Sequence, residues 1–277
     1  MPRSTHGGRH ELGQNFLNNG ATINYIAGLV GRTPGPILEL GAGDGALTRA
    51  LARHHHEITA IDIDEHRVRR LHQTLPDVRI EHADALHYPL DTPTIVGNIP
   101  FHITTPILRR LLGEGGWRFA ILLTQWEVAR KRAGVGGHTM MTAQTAPWFE
   151  FELKRRVPAH YFTPMPSVDA GILAINRRRS PLLPRTHRRP YERFVRAMFT
   201  GRGGTLTGIL QNATPLGARA AKRALSQASV DHRSLPRDLD ASQWVALWNA
   251  TRPAGPERRR QHQRRNTVDP HTRPLRH

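Results

Sequence analysis

The sequence predicts an α/β protein, a mostly parallel sheet closed by an antiparallel hairpin, with a small all-α unit after it. Three observations carry this. Short apolar runs of strand length alternate with stretches of helical periodicity from residue 37 to residue 133, the rhythm of βαβ units. Phe149 to Val157 and Ala170 to Ile175 are two strand-like runs with no helix between them, so they are expected to pair antiparallel. At Arg177-Arg178-Arg179 the composition changes, and past a Pro- and Arg-rich stretch ending at Pro190 only helical patterns occur.

Taken in order, residues 1–10 are basic and glycine-containing and are expected to be flexible. Residues 11–178 form the main unit. It begins with Gly13-Gln14-Asn15-Phe16-Leu17 and a helix marked by Ile23, Ile26, Ala27 and Val30. Strands are expected near 37–40, 58–61, 78–81, 94–97 and 118–124. Helices are expected near 45–53, 64–73, 103–113, 125–133 and 138–146. In the helical unit, residues 179–252, Tyr191, Phe194, Val195, Met198 and Phe199 recur at amphipathic spacing. Further helical patterns cover Leu216 to Ala228 and Ala241 to Ala250. Trp244 and Trp248, one turn apart, read as core. The tail, 253–277, holds seven Arg against Glu257 and Asp269 with few apolar anchors, and disorder is expected there.

The formal net charge of the 277-residue chain is +18, which favours a polyanionic partner. Only three of its 40 basic residues are lysines. Arg suits bidentate phosphate contact and stacking, although a GC-rich genome produces the same bias. Nucleic acid is favoured over a membrane surface, because no basic amphipathic helix has a strong apolar face. No apolar run approaches a membrane span, and the first residues contain no secretion signal, so a cytoplasmic protein is expected. The absence of cysteine excludes disulfides, Cys–zinc sites and thiol catalysis.

Chemistry concentrates in a few stretches. Ile37 to Leu51, ILELGAGDGALTRAL, reads as strand, glycine turn and helix, with Pro34 and Pro36 barring a helix from leading in. Gly41 and Gly43 let the backbone approach a ligand closely. The spacing is G-x-G-x-G, neither a dinucleotide fingerprint nor a P-loop. Asp62, at the end of the next strand, can accept both hydroxyls of a ribose, a pairing that resembles the S-adenosylmethionine (SAM) site of Rossmann-like methyltransferases. Asp64 reads as the cap of the following helix. Asn98-Ile99-Pro100-Phe101 falls where a strand ends, the edge at which open α/β sheets bind ligands. An amine conjugated to an aromatic ring is a poor nucleophile because its lone pair is delocalised. The Asn98 side-chain oxygen and the Ile99 carbonyl can accept its two hydrogens and favour a pyramidal nitrogen. Pro100 stiffens the loop, and Phe101 offers a stacking face. Asp84 suits either a helix cap or an acceptor for an adenine amine. Gln14 and Asn15 are turn residues or contacts for the methionine end of the cofactor. Phe162, in the two-proline loop Phe162 to Asp169, either stacks on a base or packs. His54-His55-His56 reads as a solvated helix end; no metal site is expected. Lys154-Arg155-Arg156 faces RNA or solvent.

In this order GQNFL, ELGAGDGALT, the ribose carboxylate, ADAL, NIPF and FTPMPSVD resemble the rRNA adenine N6-dimethyltransferases over about residues 10–176. The set resembles the Erm family of macrolide-resistance enzymes more closely than its small-subunit sister. Gln125-Trp126-Glu127-Val128-Ala129, Arg130-Lys131-Arg132-Ala133-Gly134 and NIPF are the features that favour Erm. The resemblance implies a class I SAM-dependent methyltransferase with 23S rRNA as partner. It also implies transfer of one or two methyls to a single adenine at the peptidyl transferase centre, which blocks macrolide, lincosamide and streptogramin B binding. Catalytic roles are implied for Asn98, Ile99, Pro100, Phe101 and Phe162. Cofactor contacts are implied for Gln14, Asn15, Leu17, Gly41, Gly43, Asp62, Asp84 and Asn98. Asp62 departs from the family, where Glu is usual. No protein partner is implied, and a monomer is expected. The competing expectations are 16S rRNA dimethylation and a non-catalytic RNA-binding or assembly factor on the same fold.

Overall fold

The computed structural model describes residues 14–53 and 57–252. The N-terminal segment 1–10, Gly13, the run His54-His55-His56 and the tail 253–277 lie outside the described residues. In chain order the elements begin with β1 (Phe16–Leu17), α1 (Gly20–Val30), β2 (Ile37–Leu40), α2 (Ala46–Ala52) and β3 (Ile58–Asp62). Then come α3 (Glu65–Thr74), β4 (Arg79–His82), β5 (Thr94–Asn98), α4 (Thr104–Gly113), β6 (Phe119–Gln125), α5 (Trp126–Arg132) and α6 (Met140–Thr145). The hairpin strands are β7 (Phe149–Val157) and β9 (Ala170–Arg177), with β8 (Phe162–Thr163) between them. The C-terminal helices are α7 (Arg188–Thr200), α8 (Leu206–Ala213), α9 (Ala218–Gln227) and α10 (Ala241–Thr251).

Seven strands form one sheet in the order β4-β3-β2-β5-β6-β9-β7. β2 to β6 pair in parallel, and β9 runs antiparallel to both β6 and β7. The expected hairpin therefore closes the sheet, with its second strand inserted inside its first. All four side chains of β2 are buried, as a central parallel strand covered on both faces requires. At Gly97 on β5 a Cβ would lie 2.5 Å from the Leu40 carbonyl oxygen, so only glycine lets the two strands approach. Capping fixes where helices start: Asn19 accepts from Thr22 N–H, Asp64 from His66 and Arg67 N–H, and Thr139 from Thr142 N–H. Asp64 thus acts as the expected cap.

The C-terminal helices join the core of the sheet. Tyr191, Phe194, Val195 and Met198 of α7 are buried in the same apolar cluster as Leu38, Ile107 and Leu173. Each such side chain contributes about 1.5–3 kcal/mol by leaving water. Trp244 and Trp248 are buried against Phe194, as their spacing indicated. Tyr191 O–H donates to the Ala143 carbonyl and Arg188 donates to the Leu112 carbonyl, tying α7 to α6 and α4. Two features escape the sequence pattern. Helix α8 follows a glycine-rich turn and is capped by the Thr205 hydroxyl, which accepts from Gly208 N–H. β1 and β8 are two residues each, too short for any periodicity. No helix among the described residues is long and apolar enough to cross a membrane.

One polar side chain sits inside this apolar sheet. Glu39, on β2, is 1% exposed, and its Oε2 has no hydrogen-bond partner among the described residues. Burial pushes its pKa from 4.5 to about 8; the nearby Thr48 side chain offsets part of this, and the negative charge of Asp62 adds to it. The Thr48 hydroxyl makes no hydrogen bond of ordinary geometry, so its relief is small. A carboxyl whose pKa is raised by folding binds its proton more tightly in the folded state. Stability is therefore lost as pH rises from 4.5 towards 8. The loss at pH 7 is about 3 kcal/mol. Glu39→Gln removes the titration. Its melting temperature should match that of the parent near pH 5 and exceed it by about 5 °C at pH 7.5. A difference that does not grow between those pH values contradicts a protonated Glu39.

Candidate active site

The sheet reverses its winding at β2, which has β3 on one side and β5 on the other. Ligands of open α/β sheets bind outside the carboxyl ends of strands at such a point. A cavity of about 370 Å³ lies there. Its floor is the glycine turn after β2. Gly41 and Gly43 adopt φ of +77° and +56°, a region that L side chains avoid. A Cβ on Gly43 would also meet the Phe16 ring at 3.0 Å. The bare backbone of this turn is thus a cradle that a side chain would fill.

Asp62, 3% exposed, closes one side of the cavity. Its Oδ2 accepts from Gly43 N–H at 2.7 Å and its Oδ1 from Asp64 N–H at 2.9 Å. The short carboxylate thus holds the glycine turn itself, and no sequence pattern conveys that contact. Glu39 also lines the cavity, with its unpartnered oxygen. Asp44 faces the same space, but Arg67 and Arg70 pair with its carboxylate.

The opposite wall comes from two distant stretches. Gln14, Asn15, Phe16 and Leu17 line the cavity, as do Asn98, Ile99, Pro100 and Phe101. β1 pairs antiparallel with β8, Phe16 opposite Thr163 and Leu17 opposite Phe162. The Asn18 side-chain amide donates to the Thr163 hydroxyl at 2.8 Å, and Asn18 N–H donates to the Tyr161 carbonyl. The Asn98 Nδ2 donates to the Asn15 carbonyl at 2.7 Å. That contact sets which way the amide is turned, because a carbonyl attracts only the NH₂ end. Asn98 Oδ1 accepts no hydrogen bond among the described residues and remains an available acceptor. Ile99 N–H donates to the Leu123 carbonyl, which fixes the start of the loop on β6.

Two candidates stand apart from this cavity. Asp84 caps its own turn: Oδ1 accepts from Leu86 N–H at 2.8 Å and Oδ2 from His87 Nδ1 at 2.7 Å. Partial burial alone would raise its pKa, but the Leu86 N–H and His87 outweigh burial and hold it below the usual carboxylate value. Its turn does reach the site, since Ala83 N–H donates to the Asp62 carbonyl. Phe162 is 3% exposed and packs in a cluster with Leu17 and Val157, so its ring is covered. Of the two aromatic candidates only Phe101 lines the cavity. Glu39 and Phe16 were missed as site residues, although an acid inside the apolar run ILEL is a signal in itself.

The residues present fit SAM. The cavity joins a side-chain-free backbone cradle to the buried carboxylate of Asp62 and the unpartnered oxygen of Glu39, which suits a cationic, hydroxyl-bearing ligand. Residues 5–251 match the model of the family described as ribosomal RNA adenine dimethylase. The chain is 49% identical over 253 residues to the mycinamicin-resistance protein MyrB of Micromonospora griseorubida, covering 90% of this chain and 81% of that one. It is 50% identical over 208 residues to an rRNA adenine N-6-methyltransferase of Corynebacterium diphtheriae, covering 74% and 82%. Among solved structures, the 23S rRNA methyltransferase ErmE superposes with a TM-score of 0.78 at 34% identity, covering 86% of this chain and 99% of that one. SAM is accordingly its methyl donor. The chain belongs to the ribosomal RNA adenine dimethylase family.

Proposed function

We propose that this enzyme methylates the exocyclic N6 of one adenine in 23S rRNA, at the peptidyl transferase centre, and so confers resistance to macrolides, lincosamides and streptogramin B. The observation that carries the chemistry is the orientation of Asn98, whose amide nitrogen is engaged by Asn15 and whose oxygen is left to accept. That oxygen and the Ile99 carbonyl accept the two N6 hydrogens. The acceptors favour a tetrahedral nitrogen, whose lone pair then leaves the ring and points at an electrophile. SAM, when bound, supplies that electrophile as a sulfonium methyl. No general base is required, since the alkylated nitrogen loses its proton readily. The work of the chain is therefore positioning and electrostatics. Pro100 restrains the loop, and Phe101 provides the face on which a base taken out of its stack rests. Gln14, Asn15 and Leu17 close over the methionine end of the cofactor. Asp62, with the cradle at Gly41 and Gly43, receives the ribose, and the remaining acceptor capacity of Asp84 receives the adenine amine. Phe162 reaches a base only if its segment moves.

The large-subunit substrate is favoured over 16S rRNA because the relatives at 49% and 34% identity are named for mycinamicin resistance and for 23S rRNA. An intact glycine cradle and an available Asn98 oxygen favour an enzyme over a binding factor. The same reading has the enzyme act as a monomer in the cytoplasm, where ribosomes are made. Labelled SAM incubated with protein-free 23S or 16S rRNA, followed by mapping of the modified base, tests the reading. A label in 16S rRNA alone, or in neither RNA, overturns it.

Asn98→Ala should leave SAM and rRNA affinity within a few-fold of the parent while the single-turnover rate falls by about 10²–10³. A variant that keeps most of its rate removes the role. Asp62→Ala leaves the Gly43 and Asp64 N–H groups without their acceptor. It should weaken SAM binding by about 1–3 kcal/mol in calorimetric titration. Unchanged affinity moves the ribose contact elsewhere.

A further inference from the structure

A second cavity, of about 530 Å³, opens at the same sheet edge and has no part in the proposed reaction. Gln125, Trp126, Arg156, Ser167 and Val168 line it. Trp126 begins α5 where β6 ends, three residues past Leu123, the register partner of Asn98. That places it about 10 Å further along the strand direction and one strand over. The segment from β8 to β9 borders both spaces: Thr163, at the end of β8, lines the first cavity, and Ser167, Val168 and Asp169 of the loop line the second.

Both the backbone and the half-buried ring of Trp126 are held. The backbone N–H donates to the Asp169 carbonyl at 2.9 Å. The ring rests on β9 at Gly171, where a Cβ would come within 3.2 Å of Trp126 Cε3 and 2.7 Å of Ala129 Cβ. The Arg156 guanidinium lies 5.2 Å from the ring centroid and is 60% exposed. It is oriented by Asp169 Oδ2, which accepts from Arg156 Nε at 2.7 Å. Both acids at the cavity are engaged, Asp169 as described and Glu127 by Arg130. The Gln125 amide and the Ser167 hydroxyl make no side-chain hydrogen bonds among the described residues. Val168 and Met165, 45% and 66% exposed, are apolar side chains left facing water on the same loop.

An anchored aromatic face, a guanidinium, apolar side chains and spare amide and hydroxyl groups are what a single unpaired nucleotide requires. We propose that this cavity holds a nucleotide flanking the target adenine, its base stacked on Trp126 and its phosphate against Arg156. The proposal rests on an RNA substrate for the first cavity, and it makes Trp126 a positioning residue. Holding the neighbour drags the target adenine out of its stack and aims it at Asn98.

The test uses the full-length enzyme and an rRNA fragment carrying the target adenine, with an abasic nucleotide placed in turn at the two positions on each side. Parent enzyme should lose about tenfold or more in kcat/KM at one of these positions. Trp126→Ala and Trp126→Leu should lose as much on intact RNA and nothing further on that abasic RNA. Trp126→Phe should retain most activity. All three variants should keep the SAM affinity of the parent, and Trp126→Phe its melting temperature as well; Trp126→Ala melts lower because it leaves a gap at Gly171. A 2-aminopurine base at the same position reads the contact without catalysis. Its fluorescence should be quenched by the parent and by Trp126→Phe, and not by Trp126→Leu. Additive losses, indifference of the parent to every abasic position, or a Trp126→Leu enzyme as active and as quenching as the parent overturn the proposal. Quenching without methylation of any adenine would instead overturn the proposed reaction and leave this contact standing.

Discussion

The site depends on one constraint, the pinning of the N-terminal segment across the carboxyl edge of the sheet. β1 contributes two residues and gains almost nothing by itself. It is held because Phe16 and Leu17 pair with Thr163 and Phe162, and because Asn18 bonds to Thr163 and Tyr161. That arrangement delivers the Asn15 carbonyl to Asn98, 83 residues away in sequence. The carbonyl turns the Asn98 amide and so decides that an oxygen is left for the substrate amine. The Phe16 ring lies over the glycine turn, with the Arg67 guanidinium 4.2 Å from its centroid. A single strip of backbone thus forms a wall, orients the catalytic amide and covers the cofactor cradle.

Charge is divided across the molecule. The chain is strongly basic as a whole, yet Glu39, Asp44 and Asp62 gather at the first cavity. Asp44 is neutralised by Arg67 and Arg70, and Asp62 is satisfied by two backbone N–H groups. Glu39 has neither kind of partner. A buried carboxyl with no partner is costly to the folded protein, and the cost falls where a cationic ligand can relieve it. The basic surface outside the cavity serves a different partner, since guanidinium groups attract phosphate wherever a polynucleotide lies.

The C-terminal helices stabilise the sheet that carries this edge. Tyr191 and Arg188 reach back to Ala143 and Leu112, and the apolar cluster runs without a break from Leu38 on β2 to Trp248 on α10. Their arginines do not displace the packing, because long side chains keep their charge in water while their stems cover apolar surface.

Periodicity and local chemistry, which are properties of neighbouring residues, were enough to determine much of the protein. The βαβ alternation, the antiparallel hairpin, the amphipathic α7 and the cap at Asp64 all rest on residues within a few positions of each other. So do the stretches GAGDG and NIPF, whose chemistry is written in consecutive side chains. Helix α8 and the pair β1–β8 were not legible, because one depends on a single cap after glycines and the other on residues 145 positions apart. Phe162 and Asp84 show the same limit at the site. Their types fit stacking and adenine recognition, but one ring packs beneath Leu17 and one carboxylate is taken by Leu86 and His87. Only the tertiary structure decided which acids are spent on backbone and which side chains still have a free face. Such contacts compete with a ligand: a ring face packed against a distant neighbour is covered, and a carboxylate oxygen that already accepts one hydrogen bond has only its remaining lone pair to offer.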